Sequence, residues 1–279
     1  MYLWCVCVAV GRMIQTLPIG EPVQGVTSLD NHLYVLRRKS FEQIEVYDIN
    51  SYRLLRTFRV PALDAASDIV ACRYNRCAYI SDNSQMSVHK VALPDATVTQ
   101  WLVNDKLARL SLTVTHSVLV TCILVRKIKE FSTDGQLLRE LTLPQDTVSP
   151  WHTIQLSSGE FIVCHGRHDQ LHRVCLIGSD GSLVKSHGGE NGSGSQQMHA
   201  PAHMAVDRNG FVFVVDVKNH RVLLLSPVLN YIREVVLRKQ LRSKPLRVHL
   251  DSDRRRLYVT DNQYKDGKLA AGQVLVFTV

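Results

Sequence analysis

Residues Met204–Leu225 read "MAVDRNGFVFVVDVKNHRVLLL". Three apolar runs are held apart by short polar breaks. The first break, Asp207-Arg208-Asn209-Gly210, has hairpin-turn composition. The second, Asp216 to Arg221, places Asp, Asn, His and Arg close together. Such a cluster is either a reactive site or the corner of a repeated structural unit. Repetition along the chain decides between them.

The run "FVFVVD" at Phe211–Asp216 has relatives throughout: "HLYVL" at His32, "CAYISD" at Cys77, "SVLVTC" at Ser117, "EFIVC" at Glu160 and "LYVTD" at Leu257. With Tyr34, Tyr79, Leu119, Ile162, Phe213 and Tyr258 as landmarks, the intervals are 45, 40, 43, 51 and 45 residues. Each copy has the same order. A short apolar run comes first ("SDIVA", "AHMAV"), then a turn, the landmark strand, a polar break and a third strand ("SVHKV", "RVLLL", "QVLVF"). Tight turns such as "STDGQ" and "GSDGS" lead to a fourth strand, "LLREL" or "SLVKS". Asp-Gly between β-formers is a strong hairpin signal. No segment has helical periodicity. Pro22, Pro150, Pro201 and Pro245 stand at the starts of copies, where a strand tolerates proline.

A four-stranded unit at this period specifies an all-β, six-bladed β-propeller, its blades packed radially so that inner strands are apolar on both faces. The expected blades cover about 22–60, 65–103, 107–143, 148–187, 199–238 and 244–279, all in one domain. The last copy stops after "QVLVFTV", and "RMIQTLP" precedes the first. Residues 12–17 are therefore expected to complete the last blade and remove the open edges.

Gly210–Val222, with Pro201–Asp207 and the glycine-rich "GGENGSGSQQMHAP" before it, resembles the NHL repeat. The sixth copy keeps "LYVTD" but lacks the Asn-His-Arg, and the other four are degenerate. The resemblance is specific over Gly188–Val236. A YWTD-type propeller is the alternative. Within the repeat, Asp216 is expected to accept backbone N–H bonds in its turn, Asn219 to take a left-handed conformation, and Arg221 to pair with a carboxylate.

With 45% hydrophobic and 21% charged residues the composition is ordinary for a globular chain. The net charge of +8 favours an acidic partner. Seven cysteines without a C-x-x-C pair argue against a zinc knuckle and for a reducing, cytoplasmic setting, although Cys72 and Cys77 flank one turn and could oxidise. The apolar N-terminal stretch "MYLWCVCVAVGRM" is short of the roughly 20 residues a membrane span requires and is read as strand. No membrane association is expected.

Blade strands alternate in direction, so the start of each first strand shares a face with the loop between strands two and three. Aligning the copies puts Gln24, Asp68, Arg109, His152, His203 and Arg247 at one axial position. Cations on the same face are Arg37, Arg38, Lys39, Arg126, Lys127, Arg167, Lys218 and Arg221. The segment before blade 6 adds Arg238, Lys239, Arg242 and Lys244. These compose one cationic face.

Three functions follow. The first is a non-catalytic platform that recruits a protein partner. The NHL resemblance implies this role, since tripartite-motif proteins use such propellers within ubiquitin-ligase assemblies. No RING or B-box ladder lies in these residues. The second is RNA binding on the cationic face, with Phe41, Trp151 and Tyr264 as the aromatics available for stacking. The third is a zinc-dependent lyase of the kind some NHL-like propellers are, with His152 and His203 toward the channel. There blade 6 offers Arg247, and His249 two residues on, in place of a third matching histidine. No G-x-S-x-G elbow or G-x-x-x-x-G-K-[ST] loop occurs. The reading assigns no catalytic residue, metal or cofactor.

Overall fold

The computed structural model describes residues 10–38, 42–93, 95–166, 171–266 and 268–279. Six sheets, each of four antiparallel strands, account for the fold. Blade 1 is Val23–Leu29, His32–Arg38, Glu42–Asp48 and Leu54–Arg59; blade 2 is Ala66–Cys72, Cys77–Asp82, Ser87–Ala92 and Val98–Leu102. Blade 3 is Leu107–Leu112, Val118–Cys122, Lys127–Phe131 and Leu137–Thr142; blade 4 is Pro150–Gln155, Phe161–His165, His172–Ile177 and Leu183–Gly189. Blade 5 is Pro201–Val206, Val212–Asp216, Arg221–Leu225 and Tyr231–Val236. Blade 6 takes Lys244–Asp251, Arg256–Lys265 and Lys268–Thr278 from the C-terminal end and Arg12–Pro18 from the N-terminal end. The closing strand runs antiparallel to the third, from Arg12 opposite Thr278 to Pro18 opposite Gln273.

Each first strand packs on the first strands of both neighbouring blades, which closes the ring around a central axis. Second strands such as Val118–Cys122 and Val212–Asp216 are buried on both faces, which explains their unbroken apolar runs. The core lies between blades. Ile44, Val46, Ile69, Ala78 and Ile80 pack blade 1 on blade 2, and Val215, Val222, Val248, Val259 and Phe277 pack blade 5 on blade 6. The fourth strands face solvent, with Leu54, Leu137 and Val184 exposed on the rim.

The Asp-Gly turns between third and fourth strands put Gly135 and Gly181 at φ of 87° and 88°. Gly135 is also fixed by packing, because a Cβ there would lie 2.5 Å from the Trp101 ring. Cys72 and Cys77 face each other across the first hairpin of blade 2, buried and as free thiols. Among the described residues no helix is long and apolar enough to cross a membrane. The apolar stretch before residue 10, with Cys5 and Cys7, and the candidates Lys39, Phe41 and Arg167 lie outside the described residues.

Candidate functional site

All linkers between blades, and all loops between second and third strands, open on one face, the linker face. There every first strand carries a β-bulge one residue before its axial position. The register skips from Ala66 to Asp68, Pro150 to His152, Pro201 to His203 and Pro245 to Arg247. In blade 3 the skip falls between Leu107 and Leu110, around Arg109. In blade 1 the paired residues are Val23 and Gly25, so Gln24 is the bulged residue and Gly25 holds the axial position. This corrects the expectation for Gln24. Pro22 stands one place further from its axial residue than the other prolines do, so counting from proline misses by one.

The axis is thus lined by Gly25, Asp68, Arg109, His152, His203 and Arg247. All five side chains are at least nine-tenths buried. Asp68 is the hub. Its Oδ2 lies 3.5 Å from His203 Nε2 and its Oδ1 lies 3.5 Å from Arg247 Nε. Burial alone would raise the Asp68 carboxyl. His203, Arg247 and Arg109 outweigh that and hold it well below the usual carboxylate range. Burial pushes the Arg247 guanidinium down to about 9, helped by the like charge of Arg109. Both axial histidines are likewise held neutral, chiefly by burial.

Gly25 has a distinct effect. A Cβ there would sit 2.7 Å from Ile69 Cγ2. Arg247 of blade 6 reaches past blade 1 to donate from Nη2 to the Ser67 carbonyl of blade 2, at 2.6 Å. Gly25 and Ser67 lay outside the sequence reading, because a bulge leaves no compositional mark.

His152 and His203 stack at 4.0 Å between ring centroids with an interplanar angle of 11°. With Asp68 they offer three donor atoms within 4.8 Å of one another, the spacing a metal ion requires. The donors are already engaged. His152 Nδ1 accepts the Met204 amide at 3.1 Å, which leaves the proton on Nε2, 3.1 Å from the Leu110 carbonyl. Asp68 Oδ2 accepts the Leu110 amide at 3.0 Å. These bonds tie blade 4 to blades 3 and 5, and blade 2 to blade 3. A metal ion would have to break them, so this donor set does not fit one.

The Asp-Asn-His-Arg cluster is a clamp on the incoming linker. Asp216 accepts the His199 amide at 2.7 Å, so its backbone partner lies in the linker and not in its own turn. Arg221 pairs with Asp216 and Glu234, each at 2.8 Å, and donates to the carbonyls of Ser193, Gly194 and Gln197. Asn219 lies in a short 3-10 turn and donates to Asp216 and the Gly192 carbonyl. His220 takes the left-handed conformation expected for Asn219, at φ 54° and ψ 50°. A 3-10 turn ends on a residue after its last helical one, which moves the left-handed position on by one. Asp82 and Asp261 hold their linkers in the same way, through the amides of Asp64 and Ala65 and of Arg242 and Ser243. That equivalence was visible in the shared "YISD" and "YVTD".

The cations of the linker face divide into two groups. Arg37 pairs with Glu45 and Lys127 with Glu140, both at 2.6 Å, while Arg126 caps the Gln145 carbonyl and Arg221 is buried. Arg38, exposed, is also engaged. In the sector of blades 5 and 6, Lys218, Arg238, Lys239 and Arg242 are exposed and Lys244 half-buried. Among the described residues none of these five pairs with a carboxylate. A cleft of about 100 Å³ lined by Pro18, Gly20, Arg242 and Gln263 opens in this sector, on the rim and away from the axis. The long blade-6 hairpin, Arg256–Lys265 and Lys268–Thr278, contributes Gln263, Ala271 and Gln273 to its lining.

Two of the three aromatic candidates each carry a cation over the ring. Arg109 covers the Trp151 ring at 5.6 Å, and the indole N–H donates to the Gly166 carbonyl. Lys244 covers Tyr264 at 5.0 Å.

The chain has the six-bladed β-propeller fold. Solved structures similar to it over nearly their whole length include a streptogramin B lyase, with a TM-score of 0.66 at 14% identity, covering 95% of this chain and 97% of that one. A catalytically inactive virginiamycin B lyase from Staphylococcus aureus with quinupristin gives 0.66 at 10%, covering 95% and 98%. The β-propeller domain of Cps50 (Swd1) from Myceliophteria thermophila gives 0.60 at 10%, covering 92% and 82%. At these identities the likeness is one of fold. No family model matches the chain. No curated protein matches it either.

Proposed function

We propose that this propeller is a non-catalytic binding platform that recruits a protein partner through an acidic segment, using the linker face in the sector of blades 5 and 6. The observation that carries this reading is the group of five cations there that pair with no carboxylate among the described residues, beside others that are paired. Unpaired surface charge raises local counter-charge concentration and steers an oppositely charged partner. The engaged donors of Asp68 and His152 favour a structural axis over a lyase-type centre. The resemblance of Gly210–Val222 to the NHL repeat supports a scaffold role in a ubiquitin-ligase-type assembly. The proposal includes a cytoplasmic setting, in keeping with the buried free thiols of Cys72, Cys77, Cys122, Cys164 and Cys175. RNA binding ranks below it, because Trp151 and Tyr264 each already have a cation of the chain over one ring face.

The test compares a labelled glutamate-rich peptide with a single-stranded RNA pool across a salt series. The second protein carries Lys218→Glu, Arg238→Glu, Lys239→Glu and Arg242→Glu. Arg109 and Arg247 are left intact, since charge reversal there would disrupt the axial core. Peptide binding that falls with salt and is lost in the variant is expected. Tighter binding of RNA, lost in the same variant, would replace the protein-recruiting reading with the RNA one. Binding of neither at low salt would overturn both.

A further inference from the structure

The axial cluster holds more positive than negative charge. Two guanidinium groups, Arg109 and Arg247, share one carboxylate, Asp68, and both histidines beside them are neutral. Burial of charge on this scale normally comes with a full set of partners. Here Arg109 Nε has no partner, and Arg247 Nε has only its 3.5 Å ion pair with Asp68 Oδ1. Each belongs to a side chain more than nine-tenths buried. The remaining hydrogen bonds of the arginines go to backbone carbonyls. Arg109 Nη1 bonds its neighbouring Ala108 carbonyl, and Arg247 bonds the carbonyls of Leu246 and Ser67. The sixth axial position is Gly25, which contributes no side chain. Tyr264, from the long hairpin, lies within electrostatic reach of both guanidinium groups.

We propose that the axis of the linker face is an anion site, in which one carboxylate is held by Arg109 and Arg247 on the side of the cluster that Asp68 leaves uncompensated. The carboxylate comes either from a small free acid or from an acidic side chain of a protein ligand. Guanidinium groups suit this chemistry, since their planar N–H groups match a carboxylate in geometry and charge. The proposal goes beyond the platform reading and is tested independently of it.

The arginine Nε–H groups give direct signals in a 1H–15N correlation spectrum, assigned by their loss in Arg109→Gln and Arg247→Gln. Sodium acetate is titrated at constant ionic strength into the parent, into Asp68→Asn and into the four-fold rim variant described above. Saturable shifts of both Nε–H signals are expected in the parent and unchanged in the rim variant. Asparagine keeps an acceptor for the Leu110 amide but removes the competing negative charge, so acetate should bind Asp68→Asn about tenfold more tightly. Linear drift without saturation, or equal affinity in the parent and Asp68→Asn, would overturn the site. If Asp68→Asn does not fold, saturation in the parent that persists in Arg109→Gln overturns it equally. The glutamate-rich peptide then separates the two sources: saturation of the same signals assigns the site to a protein side chain, and saturation by acetate alone to a free acid. Loss of peptide binding in the rim variant with the acetate response intact would leave this site standing whatever becomes of the platform.

Discussion

Replacing His165 with glutamine should make the protein less sensitive to acid. His165 ends the second strand of blade 4 and is fully buried. Arg173 Nε donates to its Nε2 at 3.3 Å, so that nitrogen must carry a lone pair. Protonating it would turn an acceptor into a donor facing a guanidinium. Burial first, and Arg173 second, push its pKa from 6.5 down to about 4. A depressed folded-state value means that stability is complete above the unfolded value near 6.5 and is lost as pH falls toward 4. Integrated from pH 7.5 to pH 5.0, one such histidine costs the folded state about 2 kcal/mol. Glutamine still accepts from Arg173 and does not titrate. Urea unfolding followed by tryptophan fluorescence at the two pH values measures this directly. The parent should lose about 2 kcal/mol more than the variant over that interval. Other buried histidines with depressed values, such as His89 and His249, titrate in both proteins and cancel in the difference. An equal loss in parent and variant would refute the assignment of His165 as a neutral acceptor.

Three further outcomes are expected. Arg221→Met leaves the fully buried Asp216 without a cation and should cost about 3–5 kcal/mol; limited proteolysis should then cut the freed linker at 192–197. Gly25→Ala puts a Cβ within 2.7 Å of Ile69 Cγ2 and 3.0 Å of the Ile69 amide nitrogen, and should cost about 1–3 kcal/mol in a thermal melt. Leu17→Ala, which removes the buried anchor of the closing strand, should cost about 2–5 kcal/mol and speed amide exchange in the blade-6 strands Arg12–Pro18 and Lys268–Thr278 before other blades.

The repeat made the architecture legible, because each second strand is buried on both sides and so shows the same apolar run from "HLYVL" to "LYVTD". The Asp-Asn-His-Arg corner was legible as structure, but not the direction of its bonds. Arg221 reaches across to the carbonyls of Ser193 and Gln197, and nothing local to Arg221 announces a partner more than twenty residues away. The axial ring was legible where a proline sits two residues before the axial residue, at His152, His203 and Arg247. It was not at blade 1, where the bulge falls on Gln24. The pairing of surface charge was hidden as well. Lys127 and Lys218 look alike in sequence, and only the register that sets Glu140 opposite Lys129 puts a carboxylate within reach of the first.

The closing strand also sets an order of events during synthesis. Arg12 has its partner at Thr278, so the first strand of the ring to be made bonds to the last strand of the ring. At ribosomal speeds of about 5–20 residues per second, Arg12–Pro18 waits some tens of seconds for that partner. Through that interval the growing chain carries this strand unpaired ahead of blade 1, together with the rim of whichever blade is newest. Met13 and Ile14, exposed even in the finished ring, are then open to pairing with another nascent chain. The strand that makes the ring seamless is therefore also the segment that a chaperone has most reason to cover while the protein is being made.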